Sequence, residues 1–278
     1  MKKALLLFGI AGSLILGTWF CANVGEAHTK EKLKWNSSWK YATFSLTHEN
    51  TAYLWHSSQE DKKNITVCVN AGHGCPKGTS RYTYSHPNKT GKVTGGSNAK
   101  GAVKSVSCSG GTTCRGGVSE ATANLRVAKK IKKLLLDNGY DVLMIRSNNH
   151  SGLDNIARTV LANQYADCHI AIHYDSTTSN KGFFYIGVPA ISSYRNMEPV
   201  KSHWKQHEKL GKQLLKGVKK SGVKIYSGGT MKIDLTQTSY STVPSVDVEV
   251  GDRGSDLSST TQLKIAQGLL KGVKMFFS

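Results

Sequence analysis

The amino-acid sequence predicts an α/β fold: a twisted, largely parallel sheet with helices on both faces, in a single domain. Short apolar runs at residues 65–71 and 168–174 are typical of buried strands. A longer segment at residues 118–138 carries apolar residues at helical spacing, and Gly139 ends it. Because strands and helices of these kinds alternate along the chain, we expect parallel strands joined by crossover helices.

The remaining elements continue this alternation. Binding sites in such sheets form at the carboxyl ends of the strands, so we expect the site residues there. Further strands are predicted at residues 141–145, 182–188 and 246–250, and further helices at residues 153–165, 199–221 and 258–277.

Composition limits the class of protein and of partner. The chain has 278 residues with 37 Lys and Arg against 18 Asp and Glu, a formal net charge of +19. A hydrophobic fraction of 38% is ordinary for a globular protein and excludes a disordered or collagen-like chain. The charge favours polyanionic partners such as nucleic acid, anionic lipid or anionic wall polymer.

The N-terminus predicts a secretory signal peptide over residues 1–27. Two lysines precede an uncharged apolar run at residues 4–22, and a small-x-small step ends at Ala27. The run is long enough to span a bilayer, so an uncleaved anchor is an alternative, and Cys21 offers a lipoprotein as a third. Export predicts a secreted or cell-envelope protein, extracellular or periplasmic. It argues against a nucleic-acid partner and leaves membrane contact only to an uncleaved signal.

Residues 28–64 form a polar lead-in that contains three tryptophans, with short strands predicted at residues 40–46 and 51–55. This segment is either a lead-in that packs on the main domain or a small wall-binding element. We favour the first, because so short a segment cannot build a core of its own. The main domain is predicted at residues 65–278.

A long basic insertion separates the first predicted strand of the main domain from its first helix. Residues 75–118 hold nine glycines, seven Lys or Arg and no Asp or Glu. A loop of this length inside a compact domain is usually functional or disordered. It is either a cover for an anionic ligand or a tolerated surface insertion.

The cysteines predict one local bridge. Cys108 and Cys114 flank a short Ser-Gly-Gly-Thr-Thr loop, which predicts a small disulfide in an exported protein. Cys68 and Cys168 lie in strand-like runs, where we expect buried, reduced thiols. CxxC and clustered Cys/His spacings are absent from the sequence, so a structural cysteine-zinc site is not supported.

Four acid or imidazole groups are predicted to meet at one edge of the sheet. His73 follows the first strand of the main domain, Glu120 lies in the first turn of a helix, and His173 and Glu249 end two further strands. Two imidazoles and a carboxylate with an open fourth position are the ligand set of a catalytic zinc, and a second carboxylate can act as general base. Each residue alone has an ordinary explanation, such as strand capping or a favourable helix-dipole contact for Glu120.

The ordered set of motifs around these residues resembles the zinc-dependent N-acetylmuramoyl-L-alanine amidases, which cleave the bond between muramic acid and the stem peptide of peptidoglycan. The resemblance covers about residues 65–277. Two departures are Asn70-Ala71, where the family has Asp-Pro, and Asp175, where it has Asn. In chain order the motifs are Gly72-His73-Gly74, Ser119-Glu120-Ala121 with Leu125 and Ala128, Gly139 to Val142 with Arg146, Leu153 with Arg158 and Ala162-Asn163, Ala166-Asp167 with Ile172-His173, and Pro244 to Gly251.

The resemblance implies a zinc metallohydrolase. Carried over by position, His73, Glu120 and His173 would bind Zn²⁺, and Glu249 would be the catalytic carboxylate. The implied substrate is the amide bond between N-acetylmuramic acid and L-alanine in peptidoglycan. Two alternatives stay open: a zinc peptidase that cuts within the stem peptide, and a non-catalytic wall-binding protein.

Two further features bear on the site and its partner. Strand alternation at residues 246–250 sends Asp247 and Glu249 to the same face, so Asp247 competes for the catalytic role. The predicted helix at residues 199–221 carries a basic stripe, which is either a solvated face or a surface that adsorbs to anionic wall polymer. The stripe consists of Lys201, Lys205, Lys209, Lys212, Lys216 and Lys220.

Overall fold

A computed structural model describes residues 27–49 and 52–278 of the chain. Within those ranges an eight-stranded sheet forms the centre of the molecule. Its strands are β1 (Thr29–Lys32), β2 (Tyr53–His56), β3 (Thr66–Ala71), β4 (Asp141–Met144), β5 (Cys168–Asp175), β6 (Phe183–Gly187), β7 (Ile225–Lys232) and β8 (Ser245–Asp252).

The sheet is parallel at its centre and mixed at its edges. Its spatial order is β1-β2-β4-β3-β5-β8-β6-β7. The four central strands β4, β3, β5 and β8 run parallel. At one edge β1 and β2 are added antiparallel, while at the other edge β6 and β7 run parallel to each other and antiparallel to β8. The predicted α/β class with a largely parallel sheet is confirmed.

Helices cover both faces of this sheet. Alternate strand residues face two different clusters: Val67 and Val69 of β3 lie in the main core, and Cys68 lies in the second. Residues of α1, α4 and α6 build the main core, and α2 covers the opposite face. The helices are α1 (Glu120–Leu136), α2 (Asn155–Tyr165), α3 (Ser192–Arg195), α4 (Val200–Lys220), α5 (Thr236–Tyr240) and α6 (Ser259–Phe277).

The lead-in segment is integrated into the domain. β1 and β2 extend the sheet, and Trp35 and Trp39 pack against the cluster under α2. The strand predicted at residues 40–46 is wrong: Ala42–Phe44 is a short 3-10 helix that begins after Tyr41, whose φ is 68°. Aromatic contacts with Tyr240 hold this turn, and such long-range contacts are invisible in the local pattern.

The basic insertion is folded. Tyr82–Tyr84 pairs with Lys104–Val106, and Thr113–Cys114 pairs with Val118–Ser119. The carboxylate of Asp234, which lies between β7 and α5, anchors the middle of the insertion. It accepts hydrogen bonds from the Val93 and Thr94 amides at 2.7 and 3.1 Å and from Nε2 of His86 at 3.0 Å, and Lys92 Nζ lies 3.2 Å away.

The predicted Cys108–Cys114 disulfide is wrong. Cys68, Cys75, Cys108, Cys114 and Cys168 are free and buried. The hairpin that pairs Cys114 with Val118 directs the Cys114 side chain into the main core, whereas Cys108 lies against Cys75. Cys68 and Cys168 are buried as predicted.

The signal peptide predicted at residues 1–27 falls, up to residue 26, outside the described part of the chain. Across residues 27–49 and 52–278, none of the helices combines the length and apolar character that a membrane crossing requires.

Candidate metal centre

His73 sits in a sharp turn directly after β3. Its φ is 60° and that of Gly74 is 73°, so two successive residues adopt the left-handed conformation and turn the chain off the sheet. The Gly72 amide still donates to the Ile172 carbonyl at 3.0 Å, which keeps the strand end paired until that point. The Arg158 guanidinium donates to the His73 carbonyl at 2.8 Å and fixes the turn.

Arg146 ties this turn to the start of α1. The side chain is fully buried. Its Nε donates to the Ala71 carbonyl at 2.8 Å, and Nη2 donates to the carbonyls of Gly72 and Ala121 at 2.8 and 2.7 Å. One guanidinium therefore links the end of β3 with the first turn of the helix that carries Glu120.

Glu120 is the first residue of α1. Ser119 caps the helix by accepting from the Thr122 amide at 3.3 Å, a typical N-cap contact. The Glu120 side chain turns back toward the sheet, where Oε2 accepts from the Thr112 amide at 2.9 Å and Oε1 accepts from the Tyr174 amide at 3.2 Å. The insertion and β5 thus both hold this carboxylate.

His173 lies near the end of β5, between the parallel strands β3 and β8. Its Cα is in register with that of Glu249. The imidazole packs over Gly72: a Cβ at Gly72 would lie 2.1 Å from the ring. Glycine at this position therefore leaves the space that His173 occupies.

The three side chains converge on one point. Nε2 of His73 lies 2.8 Å from Oε1 of Glu120, and Nδ1 of His173 lies 3.0 Å from the same oxygen and 3.0 Å from His73 Nε2. Their ligand atoms all lie within 4.8 Å of one another. Two nitrogens and one carboxylate oxygen at this spacing match the protein ligands of an open zinc site.

The other nitrogen of the His73 ring is fixed by the insertion. Nδ1 donates to the Ser109 carbonyl at 2.9 Å, and the Ser109 hydroxyl lies 3.1 Å away. A proton on Nδ1 leaves the lone pair of Nε2 directed at the cluster, which is the tautomer that a metal ligand needs. Ser109 was not predicted as a site residue, because it is 36 positions from His73 in a loop without periodicity.

Glu249 and Asp247 line the same cavity as the three clustered side chains. Oε2 of Glu249 and Oδ1 of Asp247 are buried and lack a hydrogen-bond partner among the described residues. Burial raises the pKa of both carboxyls, and the neighbouring Asp247 raises the pKa of Glu249 further. A cation at the cluster would stabilise the charged form of both carboxyls.

The His173 imidazole responds to the same charges. Burial lowers the pKa of His173, but Asp247 and Glu120 outweigh it and raise the pKa to about 10. Burial likewise opposes ionisation of Glu120, and hydrogen bonds with His173 and His73 hold its pKa well below the usual range.

The cleft above the cluster has a volume of about 660 Å³, enough for a substrate larger than a single amino acid. The insertion forms one wall, with Lys92, Asn98 and Ser109 among its lining residues. Phe184 and Met231, on β6 and β7, lie on the cavity surface as well. The insertion is therefore part of the site.

The two departures from the amidase pattern are accommodated by local bonds. Asn70 Oδ1 accepts from Arg158 at 3.2 Å, and Asn70 Nδ2 lies 3.1 Å from Nε2 of His169. The Asp175 carboxylate forms an ion pair with Lys181 and accepts from the Thr177 hydroxyl at 3.0 Å. Both side chains are therefore satisfied beside the cluster.

Residues 67–275 match the family described as N-acetylmuramoyl-L-alanine amidase. The chain belongs to this family. The match spans β3 through α6 and includes the whole candidate metal centre, and it confirms the resemblance drawn from the sequence motifs. No curated protein matches the sequence of this chain.

Solved structures of similar fold carry the same family name. The N-acetylmuramyl-L-alanine amidase Ami1 from Mycobacterium smegmatis aligns with a TM-score of 0.62 at 19% identity, covering 77% of this amidase and 97% of that chain. The apo form of Ami1 from Mycobacterium abscessus aligns at 0.61 and 20% identity, covering 78% and 100%. An N-acetylmuramoyl-L-alanine amidase from Clostridium difficile 630 aligns at 0.54 and 17% identity, covering 76% and 96%. At these identities the likeness shows a shared fold.

Proposed function

We propose that the protein is a zinc-dependent hydrolase that cleaves the amide bond between N-acetylmuramic acid and the L-alanine of the stem peptide in peptidoglycan. The observation that carries this proposal is the convergence of His73, Glu120 and His173 within 4.8 Å at the base of a large cleft. Membership of the amidase family supplies the substrate class.

The donor set fits a zinc ion. His73 and His173 present nitrogen atoms and Glu120 presents an oxygen, and each is fixed by a second contact to Ser109, to β8 or to a backbone amide. Such second contacts orient the ligands of a metal site. When bound, zinc polarises the amide carbonyl and lowers the pKa of a water molecule.

Glu249 is the proposed general base and acid. Its carboxylate lines the cleft, and its Oε2 has no partner among the described residues, so it is free to accept a proton from the attacking water. The same carboxyl then donates that proton to the departing amine of L-alanine. The products are a free lactyl carboxylate on the sugar and a stem peptide with a free amino terminus.

The family suggests action in the extracellular space or the cell envelope. Export through residues 1–27 is the route that we propose, with peptidoglycan as the substrate. The six lysines of the α4 stripe are all exposed and are proposed to hold anionic wall polymer.

Zinc content and product analysis on purified peptidoglycan test the proposal. We expect about one zinc per chain, loss of hydrolysis with a chelator and recovery on adding zinc. Mass spectrometry should find alanine at the new amino termini and free muramic acid carboxylates. New ends within the stem peptide would instead identify a peptidase, and intact peptidoglycan with zinc-loaded protein would favour a wall-binding role.

A matched pair of variants tests the ligand assignment. His73→Ala should lose most of the zinc and all measurable hydrolysis while retaining the circular dichroism spectrum of the native protein. His150→Ala, at an exposed histidine, should retain both zinc and hydrolysis. Stoichiometric zinc in His73→Ala would refute the assignment.

A further inference from the structure

Two buried cysteines meet at the base of the insertion, next to the metal centre. Cys75 lies two residues after His73, and Cys108 directly precedes Ser109, the residue that holds the His73 ring. The Cys75 side chain is 2% exposed and that of Cys108 is fully buried. The Cys75 side chain lies beside the Cys108 sulfur.

The backbone holds the two cysteines in this position. A 3-10 turn at Pro76–Gly78 follows Cys75, with the Gly78 amide donating to the Cys75 carbonyl at 2.9 Å. The Cys108 amide donates to the Gly78 carbonyl at 3.4 Å. A Cβ at Gly78 would lie 2.7 Å from Cβ of Cys108, so glycine is what allows the two segments to approach so closely.

The other cysteines of the described residues are not placed to pair with Cys75 or Cys108. Cys68 and Cys168 lie on neighbouring strands, but their side chains belong to clusters on opposite faces of the sheet. Cys114 packs in the main core. Cys75 and Cys108 therefore form the pair that the fold brings together among the described cysteines.

We propose that Cys75 and Cys108 form a disulfide bond in the oxidised protein. The two thiols lose two protons and two electrons, and one S–S bond forms. The oxidant is a small or protein disulfide, such as oxidised glutathione, which is reduced to two thiols by exchange. The proposal goes beyond the proposed hydrolase activity and stands independently of it.

The bond would close the insertion at its base. It joins the turn that carries His73 to the segment whose Ser109 carbonyl accepts from His73 Nδ1. A covalent link here restricts both sides of that hydrogen bond. Since contacts behind a metal ligand typically change metal affinity 10–100-fold, we expect the oxidised form to bind zinc at least several-fold more tightly than the reduced form.

Peptide mapping of the full chain tests the bond directly. The protein is equilibrated in a glutathione redox buffer, unfolded in the presence of an alkylating reagent, and digested without reduction. We expect a linked peptide pair containing Cys75 and Cys108, with alkylated Cys68, Cys114 and Cys168. Alkylation of both Cys75 and Cys108, or a bond from Cys108 to Cys114, would overturn the proposal.

Cysteine variants separate the bond from the packing of its side chains. A reductant should lower the Tm of the wild type and of Cys114→Ser by roughly 5–10 °C, because the bond closes a loop of more than 30 residues. In the Cys75→Ser/Cys108→Ser double variant the reductant should leave Tm unchanged. Competition with a chromophoric chelator measures zinc affinity. The reductant should lower this affinity in the wild type and in Cys114→Ser but not in the double variant. Equal responses in all three proteins would contradict the proposal.

Discussion

Nε2 of His173 lies 3.7 Å from Oδ2 of Asp247, on the side of the ring opposite the Nδ1 atom that contacts Glu120. The Asp247 carboxylate therefore lies behind a proposed metal ligand. Glu249, two residues along the same strand, lines the same cleft but forms no such ion pair among the described residues. The two acids occupy the same face of β8, but their neighbours differ, and we propose different roles: Asp247 would orient His173, and Glu249 would transfer the proton.

Glu249→Gln should separate these roles. Removing a general base typically costs 10²–10⁴-fold in rate, so we expect at least about a hundredfold loss of hydrolysis with zinc content and fold retained. Asp247→Asn should lose much less activity, because it keeps a polar group beside His173. Peptidoglycan hydrolysis and metal analysis of both variants decide between them. Near-wild-type activity in Glu249→Gln would exclude the mechanism, and loss of its zinc would make Glu249 a ligand.

Gly72→Ala should weaken zinc binding with little effect on the rest of the fold. The added methyl group would lie 2.1 Å from the His173 imidazole, so the ring must move away from His73 and Glu120. We expect roughly tenfold or greater loss of zinc affinity, as for other changes behind a metal ligand. Gly110→Ala is the control, since Gly110 lines the same cleft and a Cβ there meets open space. Equal zinc affinities of the two variants would contradict this packing argument.

Asp234→Asn should detach the middle of the insertion from the segment between β7 and α5. Burial opposes ionisation of Asp234, but hydrogen bonds from His86 and Thr94 and the charge of Lys92 hold its pKa well below the usual range. A carboxylate with a lowered pKa stabilises the fold above its unfolded pKa of about 4, and this contribution is lost as pH falls further. We expect a loss of about 3 kcal/mol at pH 7 that shrinks below pH 4.

Urea unfolding at several pH values measures this loss, and limited proteolysis should show new cleavage between residues 86 and 98. Asp61→Asn, at an exposed aspartate, is the control and should cost little at any pH. An equal loss for Asp234→Asn at pH 7 and pH 3 would show that the charge of Asp234 is not what anchors the insertion.

Binding to cell walls should weaken as salt rises, because exposed charges are screened within about 10 Å at 0.1 M. Neutralising three lysines of the α4 stripe should reduce wall sedimentation at low salt more than neutralising three lysines of α6. Salt-independent binding would indicate that a surface other than the stripe binds the cell wall. The two triple variants are Lys205, Lys212 and Lys216 to Gln on α4, and Lys264, Lys271 and Lys274 to Gln on α6.

Deleting the lead-in is not a usable test of wall binding. β1 and β2 are strands of the central sheet, and Trp35 and Trp39 belong to its packing. Removing them would expose the strand edge of β4 and destabilise the domain.

The sequence predicted the elements whose apolar pattern is local. The strand predicted at residues 65–71 is Thr66–Ala71, and the helix predicted at 118–138 is Glu120–Leu136. Ile225–Lys232 was missed because Gly228 and Gly229, with φ of 75° and 67°, interrupt its pattern. The antiparallel pairing of β6 with β8 also escaped prediction, since strand direction depends on partners distant in the chain.

In the site, too, local patterns were predicted and contacts between distant residues were not. His73, Glu120 and His173 were predicted to meet because each follows or ends an element at one edge of the sheet, and the structure brings them together. Thr112 and Ser109 were not predicted, since their contacts depend on how a 44-residue insertion folds back over that edge. The prediction of a Cys108–Cys114 disulfide failed for this reason too. Proximity along the chain favoured Cys114 as the partner of Cys108, but the folded insertion brings Cys108 to Cys75.

The buried Arg146 bears on how folding relates to the proposed metal binding. Its bonds to the carbonyls of Ala71, Gly72 and Ala121 hold together the two segments that carry His73 and Glu120. In small zinc domains the ion itself orders the chain, and chelators unfold them. The bonds of Arg146 run to backbone carbonyls and do not involve the proposed ligand side chains, so we expect the fold of the amidase to persist when the proposed zinc is removed.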